Sequence, residues 1–134
     1  MSTPISDLTH LLRAMEPTLN EGVYVFLTAE SISSDLQDKS LAIFREKEGV
    51  TIVAREEDAV SAGLPVMFRA AWITLTVHSD LEAVGLTAAF GNALAEVGIS
   101  CNVLAAAFHD HIFVPVDRAE EALERLQKLQ REGR

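Results

Sequence analysis

The stretch from Ala71 to Leu129 constrains the fold of this chain more than any other. It begins with the alternating run AWITLTVH, passes through the polar loop SDLEAVG, and enters a helix rich in small residues from Leu86 to Val97. Two extended runs, ISCNVLA and HDHIFVPV, lead to the helical segment RAEEALERLQKL. Alternation is typical of a half-buried strand, and apolar residues three and four apart are typical of a helix. The order strand–helix–strand–strand–helix predicts an α+β fold with most of a ferredoxin-like sandwich.

Two further features set the predicted ends of helices. A first helix is predicted from Ser6 to Met15, with Ser6 as its N-cap, and it ends because residues that precede a proline such as Pro17 avoid helical geometry. The last helix is predicted to use Asp117 as its N-cap, because Glu120 follows at the spacing of a capping box.

The first half of the chain repeats the same order more weakly. A strand is predicted over Val23–Thr28, followed by a connection without a helix over residues 29–40, where no hydrophobic period appears. Leu41–Lys47 and Val50–Arg55 predict a hairpin, since the glycine between them supplies a positive φ at little cost. A short helix is expected over Glu56–Gly63, with its acidic residues at the end that the helix dipole favours.

This internal echo predicts two tandem halves that pack as one compact unit of 134 residues. The first half would comprise residues 1–66 and the second residues 67–134, with the long strand Met67–His78 joining them. The helix that the first half lacks in its connection suggests a degenerate duplication.

The two faces of the predicted sheet in the second half differ in character. The helix-facing residues would be Ile73, Leu75, Val77, Ile99, Cys101, Val103, Ile112, Val114 and Val116. The opposite face would carry Thr74, Thr76, His78, Ser100, Asn102, His109, His111 and Phe113. That mixed face predicts cover by another sheet, from the first half or from a second subunit, and small-molecule sites often form at such seams.

Composition and charge restrict the class of protein. The chain has 11 basic and 20 acidic residues, a net charge of −9, which argues against a nucleic-acid or anionic-membrane partner. Cys101 is the only cysteine, so no intramolecular disulfide can form. The N-terminus has no signal-peptide pattern, and the longest apolar run, Val103–Phe108, is far shorter than a bilayer span. We therefore expect a cytoplasmic protein.

Two clusters contain chemically suggestive residue types. His109 and His111 lie two apart on one strand and could share a metal, but no third ligand is evident. His78, Ser79 and Asp80 contain the residue types of a hydrolytic triad, but neighbouring strand residues point to opposite faces. We therefore expect no catalytic residues, no metal, no cofactor and no enzymatic activity.

The loop from His78 to Leu86 has a different possible use. It joins the end of a strand to the start of a helix, where free N–H groups suit a carboxylate or another small anion. Gly85 would let a ligand approach the backbone closely. An ordinary strand–helix connection is the alternative interpretation.

With these residues in view, the run GLTAAFGNALAEVGISCNVLAAAFHDHIFVPV resembles the core of an ACT domain, a small amino-acid-sensing regulatory module. Together with FREKEGVTIV in the first half, it is similar to the stand-alone tandem ACT proteins of bacteria. Those are related to the ACT pairs of aspartate kinases and of an arginine-sensing eukaryotic protein. Many ACT domains have Gly-Ile-Asn directly, whereas this chain has Gly98-Ile99-Ser100, with Asn102 two residues later on the same face.

The resemblance implies a non-catalytic regulatory module that binds a small ligand, typically an amino acid, at a seam between ACT units, and that forms a homodimer. The loop after the strand would hold the amino and carboxyl groups of the ligand. The loop residues are His78, Ser79, Asp80, Leu81, Val84, Gly85 and Leu86, and the next strand offers Ser100 and Asn102. His109 and His111 join this set because they belong to the same mixed face. Any regulated enzyme would be a separate chain.

The other function that the sequence allows belongs to a different class. A structural or interaction protein could dock a partner through the sheet face or a strand edge and bind no metabolite. The sequence names neither the ligand, nor the pathway, nor the oligomeric state beyond this expectation.

Overall fold

The computed structural model describes residues 7–76, 81–82 and 84–134. The strands are β1 Pro17–Leu19, β2 Tyr24–Ala29, β3 Ala42–Arg45, β4 Val50–Arg55, β5 Val66–Leu75, β6 Asn102–Ala105 and β7 Asp110–Pro115. The helices are α1 Leu8–Ala14, α2 Ser34–Lys39, α3 Glu56–Ala62, α4 Leu86–Glu96 and α5 Ala119–Glu132. Contacts group the chain into two compact units. The first unit is Glu21–Ala70, and the second unit is the described chain up to Asn20 together with Ala71–Arg134.

The first unit has the ferredoxin-like fold that was predicted for each half, and it is complete where a degenerate half was expected. Its elements follow the order β2-α2-β3-β4-α3, with the beginning of β5 as the last strand. Its sheet has the order β3-β4-β2-β5 with antiparallel neighbours, for example Val25 opposite Ala54 and Val25 opposite Arg69. The helix-facing side of β2 and β4 is apolar, and it packs with Leu36 of α2 and Ala59 of α3.

The predicted connection over residues 29–40 is wrong in one respect, because it contains helix α2. The hydroxyl of Ser33 accepts a hydrogen bond from the backbone N–H of Leu36 at 3.1 Å, which caps the helix start. The backbone N–H of Ser40 returns to the carbonyl of Leu36 at its end. Leu36 is the only buried residue of these six, so the helix leaves no hydrophobic period in the sequence. The first half therefore does have a helix in its connection.

The predicted hairpin and the short helix after it are confirmed. β3 and β4 pair with Phe44 opposite Thr51, and the backbone N–H of Glu46 donates to the carbonyl of Gly49 at 2.8 Å. A side chain at Gly49 would place its Cβ 2.8 Å from the carbonyl oxygen of Ala29, so this turn requires glycine.

The second unit has the same topology, but its last strand comes from the N-terminal segment. Its sheet contains β1, β5, β7 and β6 in that order, and β1 pairs antiparallel with β5, with Thr18 opposite Thr74. The sequence analysis missed β1, because three residues beginning with Pro17 carry no alternation. The long strand β5 therefore serves as the last strand of the first unit and the first strand of the second.

Helix α1 also belongs to the second unit. Its N-cap is Asp7, whose carboxylate accepts from the backbone N–H of Thr9 at 3.0 Å, and the predicted cap Ser6 lies outside the described residues. Leu11 and Met15 are fully buried and pack with the core of the second unit. The division predicted between residues 66 and 67 stays a prediction, but residues 7–20 make their contacts with the second unit.

The two long helices of the second unit are confirmed, with one correction at the start of α5. Val116–Arg118 forms a 3-10 turn and α5 begins at Ala119, so Asp117 is not its N-cap and no side chain caps it within the described chain. Arg118 instead donates to the carbonyls of Val97 and Gly98, at 2.9 and 3.3 Å, which satisfies the C-terminal end of α4. The 3-10 turn places Arg118 at the N-cap of α5, and Asp117 is therefore one residue before the capping position.

The predicted faces of this sheet are confirmed for most of the described residues, but Val116 lies in the 3-10 turn after β7 and not on the helix-facing side of the sheet, and Thr76 and Ser100 lie outside the strands. Against the helices lie Ile73, Leu75, Ile99, Ile112 and Val114, all buried, with Cys101 and Val103 partly buried beside them. Trp72, Thr74, His111 and Phe113 contact one another on the opposite side, which we call the open face. The open face and the start of α4 are the two places where the predicted site residues lie.

Candidate functional site

The start of helix α4 has amide groups that no described side chain caps. Gly85 occupies the position before the helix with φ 104°, a left-handed conformation that favours glycine, and no side-chain hydrogen bond caps the first turn. The helix then runs for 11 residues, long enough to give its N-terminus a partial positive charge. The arrangement suits a small anion such as a carboxylate.

The described residues around this helix start divide into a buried anchor and an exposed pair. Leu86 is 4% exposed and packs into the core, which fixes the helix start. Leu81 and Val84 are 66% and 83% exposed, so their apolar side chains are available to a ligand. A Cβ at Gly85 would come within 3.1 Å of the side chain of Leu8, so helix α1 packs directly against this position.

Three predicted site residues, His78, Ser79 and Asp80, lie outside the described residues. The same holds for Val77 and Ala83. The described part of the predicted loop is therefore Leu81, Glu82 and Val84–Leu86.

The open face carries a hydrogen-bonded cluster centred on His111. The indole N–H of Trp72 donates to Nδ1 of His111 at 3.1 Å, and the hydroxyl of Thr74 lies 3.4 Å from the same nitrogen. Asn20, at the end of β1, donates its amide to that hydroxyl at 2.9 Å and to the carbonyl of Trp72 at 3.1 Å. Trp72 also stacks on Phe113, with ring centroids 6.4 Å apart.

These contacts fix the protonation of His111. Nδ1 accepts the indole proton, so the neutral ring carries its own proton on Nε2. Burial lowers the pKa of His111, the neighbouring His109 lowers it further, and Asp110 opposes them. The neutral imidazole is therefore the favoured form in the folded protein.

His109 lies beside this cluster and has an unused hydrogen-bonding atom. Its ring centroid is 6.4 Å from that of His111. Its Nδ1 is buried and has no hydrogen-bond partner among the described residues. A buried polar atom without a partner is unfavourable, so a ligand or water that supplied a hydrogen bond here would be stabilised.

The remaining predicted residues are placed on the edge strand β6 or just before it. Asn102 is exposed and lies opposite Phe113 in the pairing of β6 with β7. Its side-chain amide is 3.5 Å from the carbonyl of Phe113. Ser100 is exposed and precedes the strand. Asn102 therefore lies beside the aromatic pair of the open face.

The described residues of the second unit include further metal-ligating side chains and one thiol. In the described ranges, no three His, Cys, Asp or Glu side chains come together as a metal-binding group. Burial raises the pKa of Cys101 to about 11, so its thiol stays protonated and packs as a small apolar side chain.

The sequence analysis did not include Trp72 or Asn20 among the site residues. The single tryptophan of the chain in an alternating strand beside a histidine pair is a signal that could have pointed to Trp72. Asn20 gave no such signal, because its contacts with Trp72 and Thr74 join residues more than 50 positions apart.

Two cavities lined by described residues lie on the helix layer of the second unit. A groove of about 470 Å³ runs between α4 and α5, lined by Asn92, Glu96, Arg125 and Lys128 among others. Arg125 is already paired there with Glu96 at 3.1 Å. A smaller cavity of about 250 Å³ lies between α1 and the end of α5. Neither includes a residue of the predicted site.

Comparison with known families decides the family of this chain. Residues 3–71 match a model of the ACT domain, and residues 68–128 match a second ACT domain model. The chain belongs to the ACT domain family. ACT domains are regulatory modules that bind small ligands, so the family favours a regulatory ligand-binding module over a purely structural one. The two matched ranges overlap at residues 68–71, which lie in strand β5.

Solved structures agree with this family. A crystal structure of a protein of unknown function from Vibrio cholerae, described as a possible transport protein, is 48% identical. It has a TM-score of 0.82, with 92% of this chain and 95% of that one covered. An Agrobacterium tumefaciens protein superposes with a TM-score of 0.68 at 16% identity, covering 87% and 89% of the two chains.

The ligand-free regulatory subunit of aspartate kinase from Thermus thermophilus gives a TM-score of 0.63 at 13% identity, with 86% of this chain and 97% of that one covered. At such identities the last two likenesses concern the fold alone. A search of curated proteins gave no match. Among the helices of the described ranges, none combines the length and the apolar character that a bilayer span needs.

Proposed function

We propose that this protein is a non-catalytic regulatory module that binds an amino acid at the start of α4 in the second unit. The observation that carries the proposal is the helix start itself. In an ACT-domain chain, α4 begins directly after a glycine at φ 104° and no described side chain occupies its first amides. The α-carboxylate of an amino acid has the charge and size for that position.

The predicted site residues have distinct roles in this proposal. Gly85 admits the carboxylate to the backbone, and the exposed Leu81 and Val84 cover the apolar part of the ligand as they leave water. His78, Ser79 and Asp80 supply polar atoms for its amino group. The polar atoms of Ser100, Asn102, His109 and His111 select among side chains.

The same proposal includes a cytoplasmic homodimer. The single cysteine and the acidic composition support a reducing, crowded compartment. The regulatory subunit of an aspartate kinase has the same fold, and it supports a regulatory role for an ACT pair of this kind.

Thermal-shift measurements with each of the twenty amino acids test the proposal. We expect one amino acid, or one chemical group of them, to raise the melting temperature at millimolar concentration, because a ligand that binds only the folded state stabilises it. No shift with any of the twenty would contradict amino-acid binding.

A pair of glycine variants tests the position of the site. Gly85→Ala and Gly98→Ala both place a side chain at a left-handed backbone position, at φ 104° and 73°, at opposite ends of α4. Each is expected to cost about 1–2 kcal/mol in the free energy of unfolding. Only Gly85→Ala should also weaken binding of the identified amino acid, by about tenfold or more, which corresponds to about 1.4 kcal/mol. Equal ligand affinity in the two variants would move the site away from α4.

A further inference from the structure

The groove between α4 and α5 is positively charged in a chain that is acidic as a whole. Three basic and two acidic side chains line it, namely Arg125, Lys128, Arg134, Glu96 and Glu132. Residues 125–134 include four basic residues and one acidic residue, whereas the whole chain has 11 basic and 20 acidic residues. Because a cleft concentrates the field of the charges that line it, the groove attracts anions although most of the protein repels them.

Arg125 is more buried than the other arginines that hold a glutamate in a close ion pair. Its side chain is 11% exposed, compared with 31% for Arg118 and 53% for Arg69. A guanidinium that has left water loses its hydration, and hydrogen bonds to other groups have to replace that hydration. We would therefore expect Arg125 to have the most complete set of partners.

Arg125 is instead the least well paired of the three. Arg118 and Arg69 each donate two hydrogen bonds to the carboxylate of one glutamate. Arg125 donates one hydrogen bond to the carboxylate of Glu96, at 3.1 Å, and one to the backbone carbonyl of Arg134, at 3.3 Å. A guanidinium has five N–H groups, so three of those of Arg125 have no partner among the described residues.

The contact with Glu96 leaves room for a second anion. Glu96 is 69% exposed, so its carboxylate stays hydrated, and ion pairs with such a partner contribute little to stability. A single hydrogen bond also leaves one edge of the planar guanidinium unused. Two oxygens of a carboxylate or a phosphate fit such an edge side by side.

The dipole of helix α5 does not account for a cation at Arg125. The partial negative charge at a helix C-terminus favours cations within the last turn, and its effect falls off beyond that turn. Arg131 lies in the last turn of α5, but Arg125 lies about two turns before the helix ends at Glu132. An anion bound in the groove would account for the position of Arg125.

We propose that this groove binds a small organic dianion, either a phosphate ester or a dicarboxylate, on the guanidinium of Arg125. Lys128 lies one turn further along α5, is exposed and has no ion-pair partner in the described chain, so it supplies the second positive charge. Asn92 lines the groove from α4, and its exposed amide donates to the uncharged part of the ligand. The volume of about 470 Å³ is that of a site for a small molecule.

This site is separate from the amino-acid site that we propose at the start of α4. Leu81, Val84 and Gly85 do not line the groove. A neutral amino acid carries one carboxylate and one ammonium group, so it does not match two cations. Failure of dianion binding would leave the amino-acid proposal intact, and a chain that responds to no neutral amino acid would leave the dianion site intact.

A nuclear magnetic resonance titration of the ¹⁵N-labelled full chain tests the groove. The probes are glycerol 3-phosphate and succinate, with acetate as the monoanionic control, all at constant ionic strength because salt screens exposed charges. We expect saturable shifts of the Asn92 side-chain amide and the Arg125 Nε–H with at least one dianion, and the tighter of the two probes identifies the anionic group. No saturable shift with either dianion, or equal affinity for acetate, would overturn the proposal.

Two variants with opposite expected effects locate the site. Arg125→Gln removes the guanidinium and should weaken binding of the dianion by about tenfold or more, because hydrogen bonds between charged groups are the stronger ones. Glu96→Gln removes a competing carboxylate at an exposed position and should tighten binding by about threefold. The second variant tests the site even where the first one lowers stability.

The matched controls change the same charges away from the groove. Arg69→Gln and Glu57→Gln are at exposed positions of the first unit, and both should bind the dianion as the wild type does. An unchanged affinity in Arg125→Gln, an equal loss in Arg69→Gln, or a weaker affinity in Glu96→Gln would each overturn the assignment to Arg125.

Discussion

At the scale of the residue, Trp72 and His111 combine a polar contact with a position on the open face. The indole N–H can donate to His111 only while Nδ1 of the ring has no proton of its own. Protonation of the ring would break this hydrogen bond and place a positive charge beside the partly buried Thr74. The pair therefore couples the state of one histidine to the environment of the only tryptophan.

This coupling predicts a pH dependence. Because the pKa of His111 is lowered on folding, the unfolded chain binds more protons between the folded and the unfolded pKa. The stability from neutral His111 is thus complete above the unfolded pKa of about 6.5 and is lost as pH falls through the folded pKa. Urea unfolding followed by Trp72 fluorescence should show that the free energy of unfolding decreases as the pH is lowered from about 6.5 through the folded pKa of His111.

His111→Asn should flatten this pH dependence, because the titrating ring is removed. The matched control is His10→Asn on the exposed surface of α1, which should keep the slope of the wild type. If stability depended on pH equally in the wild type and in both variants, the pH dependence would come from groups other than His111.

At the scale of the element, helix α4 contains a glycine that its conformation does not require. Gly91 lies in the middle of the helix, and a Cβ there would meet no atom within 4 Å. We expect Gly91→Ala to raise the free energy of unfolding by about 0.5–1 kcal/mol, because glycine loses more backbone freedom on folding.

Chemical denaturation of Gly91→Ala beside Gly98→Ala measures this difference. Gly98 follows the same helix at φ 73°, and alanine at this left-handed position should destabilise the protein. If Gly91→Ala also destabilised the protein, α4 would need glycine there for a contact that the second unit by itself does not contain.

The strands and the long helices could be predicted from the sequence because their signals are local. α4 shows its apolar stripe in Leu86, Phe90 and Leu94, all buried as expected. β1 and α2 gave no such signal, because three residues and six residues are too short to display a period. Contacts outside the segments stabilise both elements. β1 pairs with β5, and the side chain of Ser33 caps α2.

At the scale of the whole molecule, the net charge of −9 opposes the self-association that we propose. Salt screens this repulsion, since the Debye length falls to roughly 8 Å at physiological ionic strength. Hydrogen bonds and apolar contacts between two subunits are much less sensitive to salt. We therefore expect the dimer to tighten as sodium chloride is raised, with a lower dissociation constant in sedimentation equilibrium.

An acidic-to-neutral surface variant provides the control for the salt effect. Glu120→Gln and Glu124→Gln make the net charge less negative at exposed positions of α5. The double variant should dimerise more tightly than the wild type at low salt and show a weaker salt dependence. A dimer that dissociates on addition of salt would indicate an interface held by ion pairs instead.

The sequence by itself determined the α+β class and the two faces of the second sheet, because repeated apolar spacing and local turn residues encode them. Its resemblance to ACT domains indicated the family. The candidate site could be predicted only as far as its loop, where Gly85 marks a helix start. Tertiary structure decided that residues 7–20 complete the second unit, and it brought Asn20 to Trp72 and Thr74. It also decided that the most apolar run of the chain lies on an open strand edge instead of in the core. Hydrophobicity favours burial of such a run, but the strand order leaves β6 without a second neighbour in the described chain.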